Sequence, residues 1–307
     1  MDGSGGFSPP PNYEIILKEL KAGKVIPFLG AGASMFHRDG LVDHSGCPPS
    51  TAQLASLLAD KVPVPTQPEE FRRIREDLSR VASVFQFFNF DRLLLNSELT
   101  NVFNKDFELN ILHTTLAQIA LQKPYLIITT NYDDMIEQAF DKAGARYHLL
   151  VTSVENLQVK YKKAGEADFD LVDAAQLKSI PQGASIIYKM HGSVERGHAA
   201  EDSSFVITEE DYLAFLTNAV VVPAVISGMF HNRRFLFLGY SMRDWNFRAM
   251  LNHRLQEKQQ VRSWGVQYRP NAIDRKLWDL KQVTIYDMDL LEFSKRLADV
   301  FAASAAV

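Results

Sequence analysis

The sequence predicts an α/β fold, a mostly parallel sheet flanked by helices, with a helical insertion or small helical lobe. Three observations predict it. Short apolar, β-branched runs alternate with stretches of helical period. Four of those runs, in "VIPFLG", "YLIITT", "SIIYKM" and "RFLFLG", lead straight into small or polar residues. One long segment, Glu69 to Leu121, carries helical pattern and almost no sustained period of two. In a Rossmann-like parallel sheet the carboxyl ends of the strands share one rim, and specialised residues after several strands belong there.

The elements follow in order. Residues 1–12 read as a flexible N-terminal tail, and 13–307 as one domain with the insertion at approximately 69–121. Tyr13 to Lys21 forms a short helix on Ile16, Leu17 and Leu20, stopped by Gly23. "VIPFLG" is a buried strand, in which Pro27 lacks a donor and predicts an edge position or a bulge. "STAQLASLLADKV" is a helix capped by Ser50 or Thr51. Past "PVPTQP" come the insertion helices, whose Phe85, Phe87, Phe88 and Phe90 are expected in a core. Tyr125 to Thr130 is a strand, Asp133 to Phe140 a helix ended by Gly144, and "RYHLLV" a further strand. Val154 to Gln182 is polar and irregular, a hairpin or a mobile flap. Strands at "SIIYKM", "RFLFLG", "SWGVQY" and "VTIYDMDL" and the closing helix "LEFSKRLADVFAA" complete the chain.

With 307 residues, 46% hydrophobic and 23% charged, the chain has enough apolar material for a substantial core. A net charge of -4 gives no pull toward nucleic acid or anionic membrane, so direct nucleic-acid binding is not expected. No apolar stretch approaches the roughly 18 residues of a membrane span. The N-terminus lacks the basic and apolar regions of a secretion signal, which makes a cytoplasmic location the expectation. Cys47 is the single cysteine. It excludes an internal disulfide and a zinc site of several thiolates, and it fits a reducing compartment.

The first specialised strand end is "GAGAS". Gly30 and Gly32 allow close approach to the main chain, and Ala31, Ala33 and Ser34 keep the turn small. Two readings stay open: tight strand–helix packing, or a phosphate held by the amides of a helix beginning near Ala33. Neither G-x-G-x-x-G nor a P-loop is present. The second is "TTNYDD". Asn131 or Asp133 can cap the following helix, but Thr130, Asn131, Asp133 and Asp134 together exceed what capping requires. The third is "KMHGS", where His191 ends a strand beside Gly192, placed for proton transfer or for bonding a sugar hydroxyl. The bland alternative is a histidine that ties two loops together. No metal site is expected: His198 follows seven residues later without a compact ligand pattern, and the other histidines are scattered. Neither Ser34 nor Ser241 sits in a nucleophile elbow.

With "GAGAS" (30–34), "TTNYDD" (129–134), "KMHGS" (189–193) and "GYSMRDW" (239–245) in that order, the chain resembles the SIR2 family, above all its bacterial NAD-cleaving branch. The resemblance implies NAD as substrate, with no metal. It makes Gly30, Ala31, Gly32 and Ser34 the pyrophosphate loop, with Thr130 and Asp133 also at the dinucleotide. Asn131 then positions the nicotinamide ribose or the attacking water, Asp133 stands near the carboxamide, and His191 is the catalytic histidine beside the ribose hydroxyls. Gly239 and Ser241 form a second loop near the adenosine half, with Tyr240 where classical members carry threonine. Two departures stand out. One cysteine cannot build the classical four-cysteine zinc module, and "MFHRDGLVDH" replaces a Gly-x-x-Asp-Phe-Arg stretch, with Arg38 or Asp39 as partial substitutes. The expected activity is therefore NAD⁺ hydrolysis to nicotinamide and ADP-ribose, in an anti-phage effector acting as a homo-oligomer or with a separate sensor or activator. The alternatives are an NAD-dependent protein deacylase and a non-catalytic module that binds NAD or ADP-ribose.

Overall fold

The computed structural model describes residues 10–35, 46–63, 71, 74–89, 91–153, 158–196, 200, 202–217, 222–240 and 261–305. Arg38, Asp39, Phe90, His198 and Ser241 lie outside them, as do most of the tail and of "GYSMRDW". Among the described residues eleven strands run in chain order: β1 (Val25–Leu29), β2 (Leu126–Thr129), β3 (Tyr147–Ser153), β4 (Gln158–Lys162), β5 (Asp170–Asp173), β6 (Ser185–Lys189), β7 (Gly192–Ser193), β8 (Ser204–Phe205), β9 (Arg234–Leu238), β10 (Ser263–Gln267) and β11 (Val283–Asp287). Nine of them form one sheet in the order β11-β10-β9-β1-β2-β6-β3-β4-β5. Pairing is parallel from β11 through β3, and β4 and β5 add antiparallel at one edge. β7 and β8 make a separate small ribbon.

Alternation along the strands sorts side chains onto two faces. Ile26, Phe28, Leu126, Ile128, Ile186, Tyr188, Phe235 and Phe237 pack on one side with Trp278 from the Ala272–Leu280 helix. Val25, Leu29, Ile127, Ile187, Leu236 and Leu238 pack on the other, against the helices Tyr13–Lys21, Ile111–Gln122, Met135–Ala143 and Leu290–Ala305. A third apolar cluster joins the helices Thr51–Ala59, Leu78–Asn89 and Arg92–Phe103 to Tyr132, Val194, Phe205 and Ile207. Within the helix Thr51–Ala59, Ser50 accepts from the Gln53 amide while the Gln53 side chain accepts from the Ser50 amide, a closed capping box.

Two expectations are corrected. Pro27 lies in the central strand, in register with Leu236, not at an edge or bulge. Its missing donor costs little, because odd residues of β1 turn toward β2 and that pairing begins only at Phe28. Phe85 is buried, but Phe87 and Phe88 are 66% and 39% exposed, so only the first serves the core. Their stretch of helix turns consecutive residues through both faces, and one face is solvent. The helix expected near Ala33 is, among the described residues, one 3₁₀ turn over Ala31–Ser34. Of the two readings of the stretch after Val154, the hairpin holds: β4 and β5 pair antiparallel.

Candidate functional site at the carboxyl rim

The four strands whose endings are specialised, β9, β1, β2 and β6, are consecutive neighbours in the sheet. The chain moves outward from β1 through β2 in one direction and resumes with β9 in the other. β1 and β9 thus flank a topological switch point, where open α/β sheets form their ligand crevice.

The glycine loop is first of all a packing device. The Gly30 amide donates to Leu238 O, the Gly32 amide to Gly239 O at 2.9 Å, and the Ala33 amide to Gly30 O. A methyl group on Gly30 would stand 2.7 Å from Gly239 O, and one on Gly32 2.9 Å from the Gly239 Cα. Gly239 has φ +63 and would bring its own Cβ to 2.0 Å from Ala33 N. Loop meets loop, backbone against backbone, and three amides are spent in doing so. The Ala31 amide meets no acceptor among the described residues.

Ser34 carries the chemistry of the loop across to the next strand. Its hydroxyl accepts from Asn131 Nδ2 at 3.0 Å, and it lies close enough to the Asp133 carboxyl to favour its ionised form. Asn131, Ser34 and Asp133 are all buried, so this group is shielded from water. The second Asp133 contact is the cap foreseen from sequence: Oδ1 accepts from the Met135 amide at 3.1 Å. Burial pushes the Asp133 carboxyl above its ordinary range; the Lys189 charge, the Met135 amide and the Ser34 hydroxyl oppose that, while Asp134 adds to it. Asn131 Oδ1 is buried with no hydrogen-bond partner, an open acceptor at the centre of the rim. Thr130 donates its amide to Leu29 O, fastening this loop to β1.

His191 leaves β6 beside this constellation. Thr129 and Lys189 are paired in register, and the Met190 amide donates to Thr129 O, so Asn131 and His191 leave adjacent strands at the same level. The imidazole is buried, edge-on to Tyr212 and Phe215 with ring centroids 5.4 and 5.8 Å away. Gly192 follows with φ +84, and a methyl there would stand 1.8 Å from Ser204 O. Only glycine permits the turn that sets the histidine. The structure thus brings Gly30, Ala31, Gly32, Ser34, Thr130, Asn131, Asp133, His191 and Gly239 to one rim. Among the described residues no group of three or more His, Cys, Asp or Glu side chains is arranged to hold a metal ion.

Several contributors were not foreseen. Tyr132 turns away from its neighbours into the helical cluster, its hydroxyl donating to Val206 O at 2.7 Å and its ring edge-on to Phe103 and Phe205. Asn110 caps the Ile111–Gln122 helix with one end of its amide and donates to Ala33 O with the other. Lys189 is fully buried at the end of β6 and pairs with Glu137 at 2.7 Å. Gln267, ending β10, donates to Tyr240 O at 3.4 Å and keeps its own carbonyl oxygen unpartnered. A lysine inside an apolar strand and a capping asparagine before a helix were the available signals; nothing in the sequence marked Gln267.

Residues 125–286, more than half of the chain, match the family model described as the SIR2-like domain. The chain belongs to that family. This SIR2-like chain is 29% identical over 236 residues to the NAD(+) hydrolase ThsA of Cytobacillus dafuensis, covering 77% of itself and 39% of that relative. It is 25% identical over 236 residues to the NAD(+) hydrolase ThsA of Bacillus cereus (strain MSX-D12), covering 76% of itself and 40% of the relative. To the Defense-associated sirtuin 2 of Bacillus subtilis it is 22% identical over 263 residues, 85% of this chain and 22% of the relative. The SIR2-like chain spans two fifths or less of the length of these relatives.

Proposed function

We propose that this chain cleaves the nicotinamide–ribose bond of NAD⁺ by hydrolysis, releasing nicotinamide and ADP-ribose, and that it serves as a NAD-depleting effector of bacterial anti-phage defence. The observation that carries the reading is the buried Asn131–Ser34 bond beside the buried Asp133 carboxyl, with an unpartnered Asn131 oxygen and His191 leaving the neighbouring strand at the same level. Relatives named NAD(+) hydrolase and defense-associated sirtuin support the choice of substrate and setting.

The chemistry suits such a site. The bond from ribose C1′ to the pyridinium nitrogen breaks with its electron pair going to nitrogen, so nicotinamide departs neutral and needs no acid. Water adds to C1′ of the oxocarbenium-like sugar and gives up a proton. Catalysis then amounts to positioning and charge stabilisation. Asn131 Oδ1 accepts from the attacking water or a ribose hydroxyl. His191 bonds the 2′ or 3′ hydroxyl and assists proton transfer. Asp133 bonds the carboxamide and favours the developing positive charge. The diphosphate lies over the Gly30–Ser34 loop and takes the Ala31 amide, since the amides of Gly30, Gly32 and Ala33 are engaged. The adenosine half lies toward Gly239 and Ser241. The helices around 69–121 form a lobe over the nicotinamide end. The effector works in the cytoplasm as a homo-oligomer, with a sensor or activator protein, or both, and contacts no nucleic acid directly.

The test is to mix the protein with NAD⁺ and resolve nicotinamide, ADP-ribose and cyclic products, for isolated and assembled material. Release of nicotinamide with ADP-ribose is the expected result. Release that needs an acylated-lysine peptide marks a deacylase, and tight binding without products marks a non-catalytic module; either overturns the proposal.

A further inference from the structure

Lys189 is the least expected charge in the protein. It ends a strand whose five residues are all buried, and its own exposure is zero. Its Nζ donates to two acceptors: the main-chain carbonyl of Asp133 and Oε1 of Glu137. Glu137 sits one helical turn beyond Asp133 on the Met135–Ala143 helix and is itself buried, with Oε2 unpartnered. A buried ion pair is weak evidence for stability alone, because a hydrophobic pair of similar volume often serves as well. What a hydrophobic pair cannot do is hold a loop carbonyl.

We propose that Lys189 is a positioning residue for the Asn131–Asp133 loop, anchored by Glu137 and holding the Asp133 carbonyl from beneath while Tyr132 holds the same loop from the helical side. The loop is then fixed at both ends of three consecutive residues: Asn131 by Ser34, Tyr132 by Val206 O, Asp133 by Lys189 and Met135. The ammonium has a second effect. Burial raises the pKa of the Asp133 carboxyl, and the Lys189 charge opposes that by favouring the ionised form. The charged and polar groups facing that carboxylate are Lys189 from β6, Asp134 at the next position, Ser34 from the glycine loop and the Met135 amide. Asp134 is in turn paired with Arg196.

This inference rests on the NAD⁺-hydrolase reading only for what the loop does, and its test has a readout apart from activity. The Asp133 carboxyl is titrated by NMR in protein carrying ¹³C at aspartate side-chain carboxyls, assigned by its loss in Asp133→Asn. The pH profile of nicotinamide release is measured alongside. Lys189→Met removes the cation, and the Asp133 midpoint and the acidic limb of the profile should both rise by roughly one pH unit. Glu137→Gln removes the anion paired with Lys189, keeps the shape, leaves the ammonium's charge unshared, and should move both down. Opposite directions are the signature, since a purely structural role would lower activity without separating the two variants. Midpoints that stay put, or that move the same way, overturn the proposal. Should Lys189→Met fail to fold, Glu137→Gln alone decides, an unchanged or raised midpoint counting against. If the unsubstituted protein releases no nicotinamide, the functional reading falls while the carboxyl titration still tests Lys189.

Discussion

At the scale of residues, the rim holds a titratable group at a cost. Burial disfavours the ionised form of Asp133, and its folded pKa is raised above the ordinary 3.8. A raised carboxyl pKa means that the folded state binds the proton more readily. The cost of the buried anion is therefore fully present above the folded pKa and gone below the unfolded value. Asp133→Asn keeps an acceptor for the Met135 amide and sheds that cost. Its thermal midpoint at pH 7 should equal or exceed the parent's, with the advantage shrinking as pH falls toward 4, while nicotinamide release drops about 100-fold or more. Scanning calorimetry at both pH values beside a product assay checks this; a destabilised variant with full turnover would contradict it. Asn131, Asp133 and His191 were legible because polar residues after apolar strands are conspicuous. Lys189 stood in a quoted motif and went unread, since a charge in a strand shows its meaning only when its partner, 52 positions earlier, is seen.

At the scale of elements, most strands and most helices followed from period and caps, and the glycines did not. Sequence left "GAGAS" between packing and phosphate. The packing role showed itself in a contact between residues some 200 positions apart, the Gly32 amide on Gly239 O, which no local pattern encodes. Pro27 was misjudged for a related reason: strand neighbours and register, not the residue alone, decide which donor is dispensable. The packing account separates two left-handed glycines. Gly144 ends a helix with φ +73 and open space around it, so Gly144→Ala should cost only the backbone strain, about 1–2 kcal/mol. Gly239 adds a clash with Ala33, and Gly239→Ala should cost roughly 2–6 kcal/mol. Urea midpoints of the two variants test the ranking, and equal losses would refute it.

At the scale of the molecule, two apolar layers sandwich the sheet and a third cluster holds the helices beside Tyr132, so the rim sits where three packed bodies meet. One buried group links that core to pH. His113 is fully enclosed, its Nδ1 unpartnered, and burial lowers its pKa to about 3 from 6.5. The unfolded chain takes up a proton there below pH 6.5 that the folded chain refuses until about 3. Stability should fall through that window as pH drops, by about 1.4 kcal/mol per pH unit from this group. His113→Gln should flatten the slope between pH 6 and 4, whatever its effect on stability at pH 7, and an unchanged slope would count against the assignment. The most direct measurement of the central claim is nicotinamide release from NAD⁺ by the unsubstituted protein, Asn131→Ala and His191→Ala, with folding of each followed by circular dichroism. Matched nicotinamide and ADP-ribose from the first, with loss of both in the two folded variants, is the expected result. Undiminished release by both variants would contradict it.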